Sequence, residues 1–96
     1  MRLIKVTRSP NPKKKLRAVF ETAEGRTRSV DFGSAGMDDY TRTGDTEQRH
    51  RYRTRHRKDL QTGDPTRSGY LSFYILWGDS TSVRQNIADY KKRFDL

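Results

Sequence analysis

Ser68–Gly78 reads SGYLSFYILWG and holds the only Trp of the chain, Trp77, together with Tyr70, Tyr74 and Phe73. Leu71, Ile75 and Leu76 complete the block, which contains no charged residue. The rest of the chain is polar and strongly basic, so any core has to form on this block. Its backbone conformation stays open. Ser68 can cap a helix from Gly69 to Trp77, and a buried strand fits the same run, because short apolar runs do not separate helix from strand by periodicity. Gly78-Asp79-Ser80 ends the block either way.

Toward the C-terminus, Val83, Ile87, Tyr90 and Phe94 recur at i, i+4, i+7 and i+11 with Ala88 beside them. Arg84, Gln85, Lys91 and Lys92 take the other positions. The spacing predicts an amphipathic helix, docked on 70–77, with lysines placed to complement the helix dipole. Tyr70–Trp77 and Val83–Phe94 are thus the expected core.

Upstream, Thr62–Arg67 is a turn-rich connector. Asp45 stands where an N-cap belongs and Gln48 at the capping-box position, predicting a helix from Thr46 to about Leu60. Its interior, Arg49–Lys58, reads RHRYRTRHRK. That alternation also fits a strand with Arg along one face. The helix is preferred because Arg and Lys are good helix formers and like charges repel along a strand. On a helix, Tyr52, His56 and Asp59 share one side, and the arginines face solvent or a partner.

Three period-two runs precede this helix. Arg2–Arg8 puts Ile4 and Val6 on one face, with Leu3, Lys5 and Thr7 on the other. Leu16, Ala18 and Phe20 alternate with Arg17, Val19 and Glu21. Thr27–Phe32 places Val30 and Phe32 together. Ser9-Pro10-Asn11-Pro12 and Ala23-Glu24-Gly25 separate the runs, since Pro removes a ladder donor and Gly permits a tight turn. Gly33–Gly36 ends the sheet without the glycine spacing or Gly-Lys-Ser/Thr of a phosphate-cradling loop. The expected architecture is a single small basic α+β domain. A small N-terminal three-stranded antiparallel meander (1–33) is followed, after a polar connector (Met37–Gly44), by two or three helices: an Arg-rich helix (45–60) and the apolar core stretch with its C-terminal amphipathic helix (68–96).

Length and composition fit that picture. Ninety-six residues make one domain. Leu, Ile, Val and Phe together fall just under the roughly 20% at which high net charge favours disorder. Their grouping predicts a folded domain of marginal stability, which a partner surface would complete. The absence of Cys excludes disulfides and Cys-based metal sites. MRLIKVTRSP has no apolar signal region, and no run approaches the roughly 20 residues of a membrane span. The expected protein is neither secreted by that route nor membrane-spanning.

Catalytic and metal chemistry find little support. His50 and His56 point to different faces of a helix, whereas zinc pairs want i, i+4 and further ligands. Asp38 and Asp39 are neighbours, and acid–base pairs need carboxylates facing one reaction centre. A turn role, or a salt bridge to the Arg-rich helix, suits them better. No Ser or Thr is placed beside a base. No catalytic residue, metal or cofactor is expected, and no small-molecule substrate. The net charge of +9 is the remaining signal. Lys13, Lys14 and Lys15 in a hairpin, and Arg49, Arg51, Arg53, Arg55 and Arg57 on the helix, are the candidate partner-binding residues. They suit phosphates, or carboxylates through bidentate Arg pairing. Only Tyr52 is interleaved for base stacking, so non-specific nucleic-acid binding fits better than sequence readout.

Val30-Asp31-Phe32-Gly33, Gly36, Asp39-Tyr40-Thr41, Asp45, Tyr52, Arg55-His56, Gly69, Leu76-Trp77 and Lys92-Arg93-Phe94 resemble, over nearly the whole chain, a family of small basic proteins encoded by large DNA viruses of algae and amoebae, the chlorella viruses among them. The resemblance carries no catalytic residues. It implies a viral setting, in which such proteins are minor capsid components or DNA-associated core proteins. The thin core and the excess of Arg over Lys favour a minor capsid protein in the virion, bridging larger capsid subunits (major and minor capsid proteins). The alternative is a non-specific nucleic-acid-binding protein packaged with the genome.

Overall fold

A computed structural model describes residues Met1–Leu96. Three strands, β1 (Arg2–Arg8), β2 (Lys14–Glu21) and β3 (Thr27–Ser34), form an antiparallel sheet in the order β1-β2-β3. Four α-helices follow: α1 (Tyr40–Thr43), α2 (Thr46–His56), α3 (Ser68–Leu71) and α4 (Val83–Arg93). A 3-10 segment, Arg57–Thr62, extends α2, and a π-helical segment, Ser72–Leu76, extends α3. The domain is α+β, with helices packed on one face of the meander.

The register explains that face. Leu16 lies opposite Phe32 and Ala18 opposite Val30, so the expected apolar positions of β2 and β3 coincide. β1 departs from its expected face. Leu3 pairs with Phe20, but the next partners are Lys5 and Val19, leaving Ile4 as the extra residue of a bulge. The bulge shifts alternation by one, so Leu3 and Val6 turn to the core while Ile4 is 36% exposed.

The central block is a helix, which settles its open conformation. Ser68 is its first residue rather than its cap; Arg67 holds the cap position without a side-chain bond. The helix then widens. The Trp77 N–H donates to the Ser72 carbonyl 3.1 Å away, one residue further back than in an α-helix. This turn presents Tyr70, Leu71, Ile75, Leu76 and Trp77 to the sheet residues Leu3, Ala18, Phe20 and Phe32, with Tyr90 of α4 closing the cluster. Full burial of such a side chain contributes about 1.5–3 kcal/mol, so a few of these residues account for the hydrophobic stabilisation of a small domain.

In α4, Val83, Ile87 and Phe94 are half-buried and Tyr90 is buried, as the stripe predicts, but Ala88 is exposed. Asn86 is buried in its place at 2% exposure. Its amide Nδ2 donates to the carbonyls of Ile75 and Ser80, and its Oδ1 accepts from the Ser80 N–H. A polar residue thus holds the turn at Gly78–Ser80 against α4. The Tyr90 hydroxyl reaches across to donate to the Pro65 carbonyl.

The connector after the sheet is not wholly irregular. Asp39 is buried and caps α1, accepting from the backbone N–H and the hydroxyl of Thr41. Its expected turn role holds, but its ion pair is with Lys15 of β2 and not with the Arg-rich helix. Asp45 caps α2 by accepting from the N–H groups of Glu47 and Gln48. Gln48 closes the box indirectly: its Oε1 accepts from the Thr43 hydroxyl, which itself accepts from the Asp45 N–H.

Candidate functional site

The helix α2 divides its arginines by face. Arg49, Tyr52, Arg53 and His56 stand at i, i+3, i+4 and i+7, one side of an α-helix. Tyr52 stacks between His56 and Trp77, with ring centroids 4.1 and 4.2 Å away. The Arg49 Nε donates to the Gly78 carbonyl at 2.6 Å, and its terminal nitrogen meets Asp79. Arg53 donates to the Trp77 carbonyl at 2.9 Å and lies over Phe73, 4.2 Å from the ring centroid. Two guanidinium groups therefore satisfy carbonyls at the end of the central helix, where its dipole is negative. Burial, and then the nearby charge of Arg49, lower the pKa of Arg53.

Arg49 and Arg53, expected to face solvent or a partner, make their hydrogen bonds within the fold. Arg51, Arg55 and Arg57 are exposed with Lys58, and of these only Arg51 approaches a carboxylate, Glu47 at 4.0 Å. Arg51, Arg55 and Lys58 form a stripe at i, i+4 and i+7. The lysine run divides likewise. Lys13 and Lys14 are exposed, whereas the Lys15 ammonium is held against buried Asp39.

The i, i+3, i+4, i+7 spacing was the available signal for this division, because it places Arg49 and Arg53 beside Tyr52 and His56. The difference is measurable. Arg53→Ala will destabilise the fold by about 2 kcal/mol, through the lost charge-assisted bond and the uncovered Phe73 ring. Arg51→Ala will stay within about 0.5 kcal/mol of the parent. Urea unfolding of the two variants checks both values.

Between the end of the sheet and α2 lies a groove of about 560 Å³. Lys14 and Gly33 of the sheet line one wall, Tyr52, Arg55 and His56 of α2 the other, with Leu76 and Trp77 also in the lining. The two basic segments of the sequence thus meet at one cleft. Carboxylates are present too: Asp38, Asp39 and Asp59 line it as well. The Asp59 carboxylate accepts from the His56 Nδ1–H across 3.0 Å in the tautomer that protonates that nitrogen. No group of three or more His, Cys, Asp or Glu side chains comes close enough together to hold a metal ion. On the solvent face of the sheet, Arg17 and Asp31 form a two-bond pair at 2.7 and 3.0 Å. The bond from Arg17 holds the Asp31 carboxyl below its ordinary pKa.

Tyr52 is the titratable group the cleft changes most. Burial, and then the nearby Asp59 carboxylate, push its hydroxyl up to about 12. Burial raises Tyr90 as well. For a phenol whose folded pKa is raised, the contribution to stability is complete below the unfolded value and is lost as pH rises toward the folded one. The fold will therefore weaken from about pH 10 upward. Absorbance titration will show Tyr52 and Tyr90 ionising late, with the unfolding transition; Tyr52→Phe will remove part of the alkaline loss.

Residues 4–56 match the model of a family of unknown function, DUF5754, over more than half of the chain. The chain belongs to DUF5754. The DUF5754 span runs from β1 to the end of α2, so it contains the meander, the Asp39 turn and the whole Arg-rich helix. The core block at Tyr70–Trp77 lies beyond it. No curated protein and no solved structure matches the chain. No helix is long and apolar enough to cross a membrane.

Proposed function

We propose that this protein is a non-enzymatic virion structural protein, a minor capsid component that bridges larger subunits through its exposed arginine-rich surface. The viral setting rests on the sequence resemblance. The observation that carries the binding mode is the stripe of Arg51, Arg55 and Lys58, unburied and with only one distant carboxylate in reach, beside two arginines that tie α2 to the end of the central helix. Arg side chains on a fixed helix meet carboxylates of a neighbour in paired geometry at low entropic cost. The neighbouring groove carries both signs of charge, which a protein surface of mixed charge complements better than a uniformly anionic phosphate backbone.

The second reading is non-specific nucleic-acid binding, favoured by the meeting of Lys14 and Arg55 at one cleft. Opening virions and following the protein separates the two: it will stay with the shell, and release with the DNA would sink the capsid reading. With purified protein, Arg51→Glu combined with Lys58→Glu will abolish incorporation into the shell. DNA affinity falling with a log–log salt slope of about −4 or steeper would support the second reading.

A further inference from the structure

We infer that the tip of the β1–β2 hairpin, through Arg8, Lys13 and Lys14, is a contact surface for the phosphate backbone of a nucleic acid. The inference goes beyond the bridging role: it gives the chain a second surface, for a different class of partner.

The segment Arg8–Lys15 reads RSPNPKKK. Its turn is fixed before any ligand arrives. Pro10 and Pro12 have no N–H to satisfy and hold their φ. Each remaining N–H from Ser9 to Lys14 is bonded. That of Ser9 donates to the Lys15 carbonyl at 3.1 Å. Those of Asn11, Lys13 and Lys14 donate to Ser9 Oγ, Asn11 Oδ1 and the Asn11 carbonyl, each at 3.0 Å. The Lys13 carbonyl accepts from the Ala35 N–H, which ties the tip to the loop after β3. With no backbone donor left over, an anion here is held by side chains.

Those side chains carry one sign. Residues 1–20 include seven Lys and Arg and no Asp or Glu. Three of the seven are paired with acids from later in the chain: Arg2 with Glu21, Lys15 with Asp39 and Arg17 with Asp31. Arg8, Lys13 and Lys14 are exposed and form no ion pair. Asp38 lines the same groove as Lys14 without pairing with it. Arg8 lies opposite Leu16, and Lys14 stands two residues before Leu16 on the same face. The two are diagonal neighbours, on the order of 7–8 Å apart.

The occupant follows from what the tip lacks. Apart from its two prolines, Arg8–Lys15 has no apolar side chain. Protein interfaces centre on an apolar core and keep their charges at the rim. A phosphate backbone needs cations alone, and a two-stranded β-ribbon is narrow enough to enter the major groove of a duplex.

Fluorescence anisotropy of a short labelled DNA duplex of mixed sequence, titrated with the full chain at several salt concentrations, tests this. Two charge-matched variants are compared, Arg8→Ala/Lys13→Ala/Lys14→Ala and Arg51→Ala/Arg55→Ala/Lys58→Ala. All six side chains are exposed, and circular dichroism will show both variants folded. The parent's log–log salt slope will lie near −3, about one unit per phosphate contact. The hairpin variant will lose at least about tenfold in affinity and most of that slope. The helix variant will keep the slope within about one unit.

Equal losses in the two variants would reduce the effect to net charge, and a larger loss in the helix variant would move it to α2. Either overturns the inference. So does the absence of salt-dependent binding, or displacement of the duplex by poly-glutamate as readily as by unlabelled DNA. Failure here is separable from failure of the bridging role, which is read from shell incorporation of Arg51→Glu/Lys58→Glu and not from DNA affinity.

Discussion

Gly78→Ala will cost about 3 kcal/mol or more, because this is the most crowded of the glycines for an added methyl. A Cβ at Gly78 would lie 2.1 Å from the Tyr74 carbonyl oxygen and 2.9 Å from Cγ of Asn86. The carbonyl belongs to the backbone of the π-helical turn and cannot rotate aside. The carboxamide is fixed by its own bonds to Ile75 and Ser80. Overpacking commonly costs about 1–3 kcal/mol where flexible side chains yield; here neither neighbour yields. The Gly78 carbonyl is also the acceptor for Arg49, so displacement of this turn loosens α2 as well. Domains of this size hold roughly 5–14 kcal/mol in total. Urea denaturation followed by circular dichroism will show a large fall in midpoint, larger than that of Gly25→Ala, where an added Cβ meets a positive φ but no crowding.

Asn86→Asp will be of comparable severity, and its penalty will depend on pH. The substitution keeps the shape of the side chain and replaces an amide donor with an oxygen facing the carbonyls of Ile75 and Ser80. An ionised carboxylate there is buried with only the Ser80 N–H to answer it, at a cost of about 3–5 kcal/mol. The new group therefore has its folded pKa raised above the unfolded value. The sign follows: stability is recovered below the ordinary Asp range near pH 4 and lost as pH rises through the folded pKa. The unfolding midpoint of this variant will climb toward the parent on acidification. A variant equally stable at neutral pH would refute the role given to Asn86. Because Gly78 and Asn86 touch, the two effects will not add.

Much of the fold is legible in the sequence because most of its periodicities are local. Leu16, Ala18 and Phe20 alternate cleanly, Val30 and Phe32 repeat the pattern, and the register brings them together. The α4 stripe is equally direct. What escapes is whatever depends on contacts distant along the chain. Ile4 looks apolar and inward until a bulge turns it out. Asn86 and Asp39 look like surface residues until the groups that satisfy them arrive from elsewhere: Ile75 and Ser80 for one, Lys15 for the other. The candidate site divides in the same way. Arg51 and Arg55 are exposed, as the charge run predicts, while Arg49 and Arg53 are drawn inward by carbonyls of a helix about 25 residues later. Helical spacing relates them to Tyr52 and His56, but a count of charges treats all five arginines alike.

The bulge in β1 also bears on how this molecule meets others. β1 is an outer strand of the sheet, and a flat outer strand invites another chain to continue the ladder. Here the strand is interrupted at Ile4 and carries Arg2, Lys5 and Arg8 along its length. Interruption and repulsion together discourage copies from zipping edge to edge. A small protein with a thin core is thereby guarded, along this open strand edge, against edge-to-edge growth into fibres.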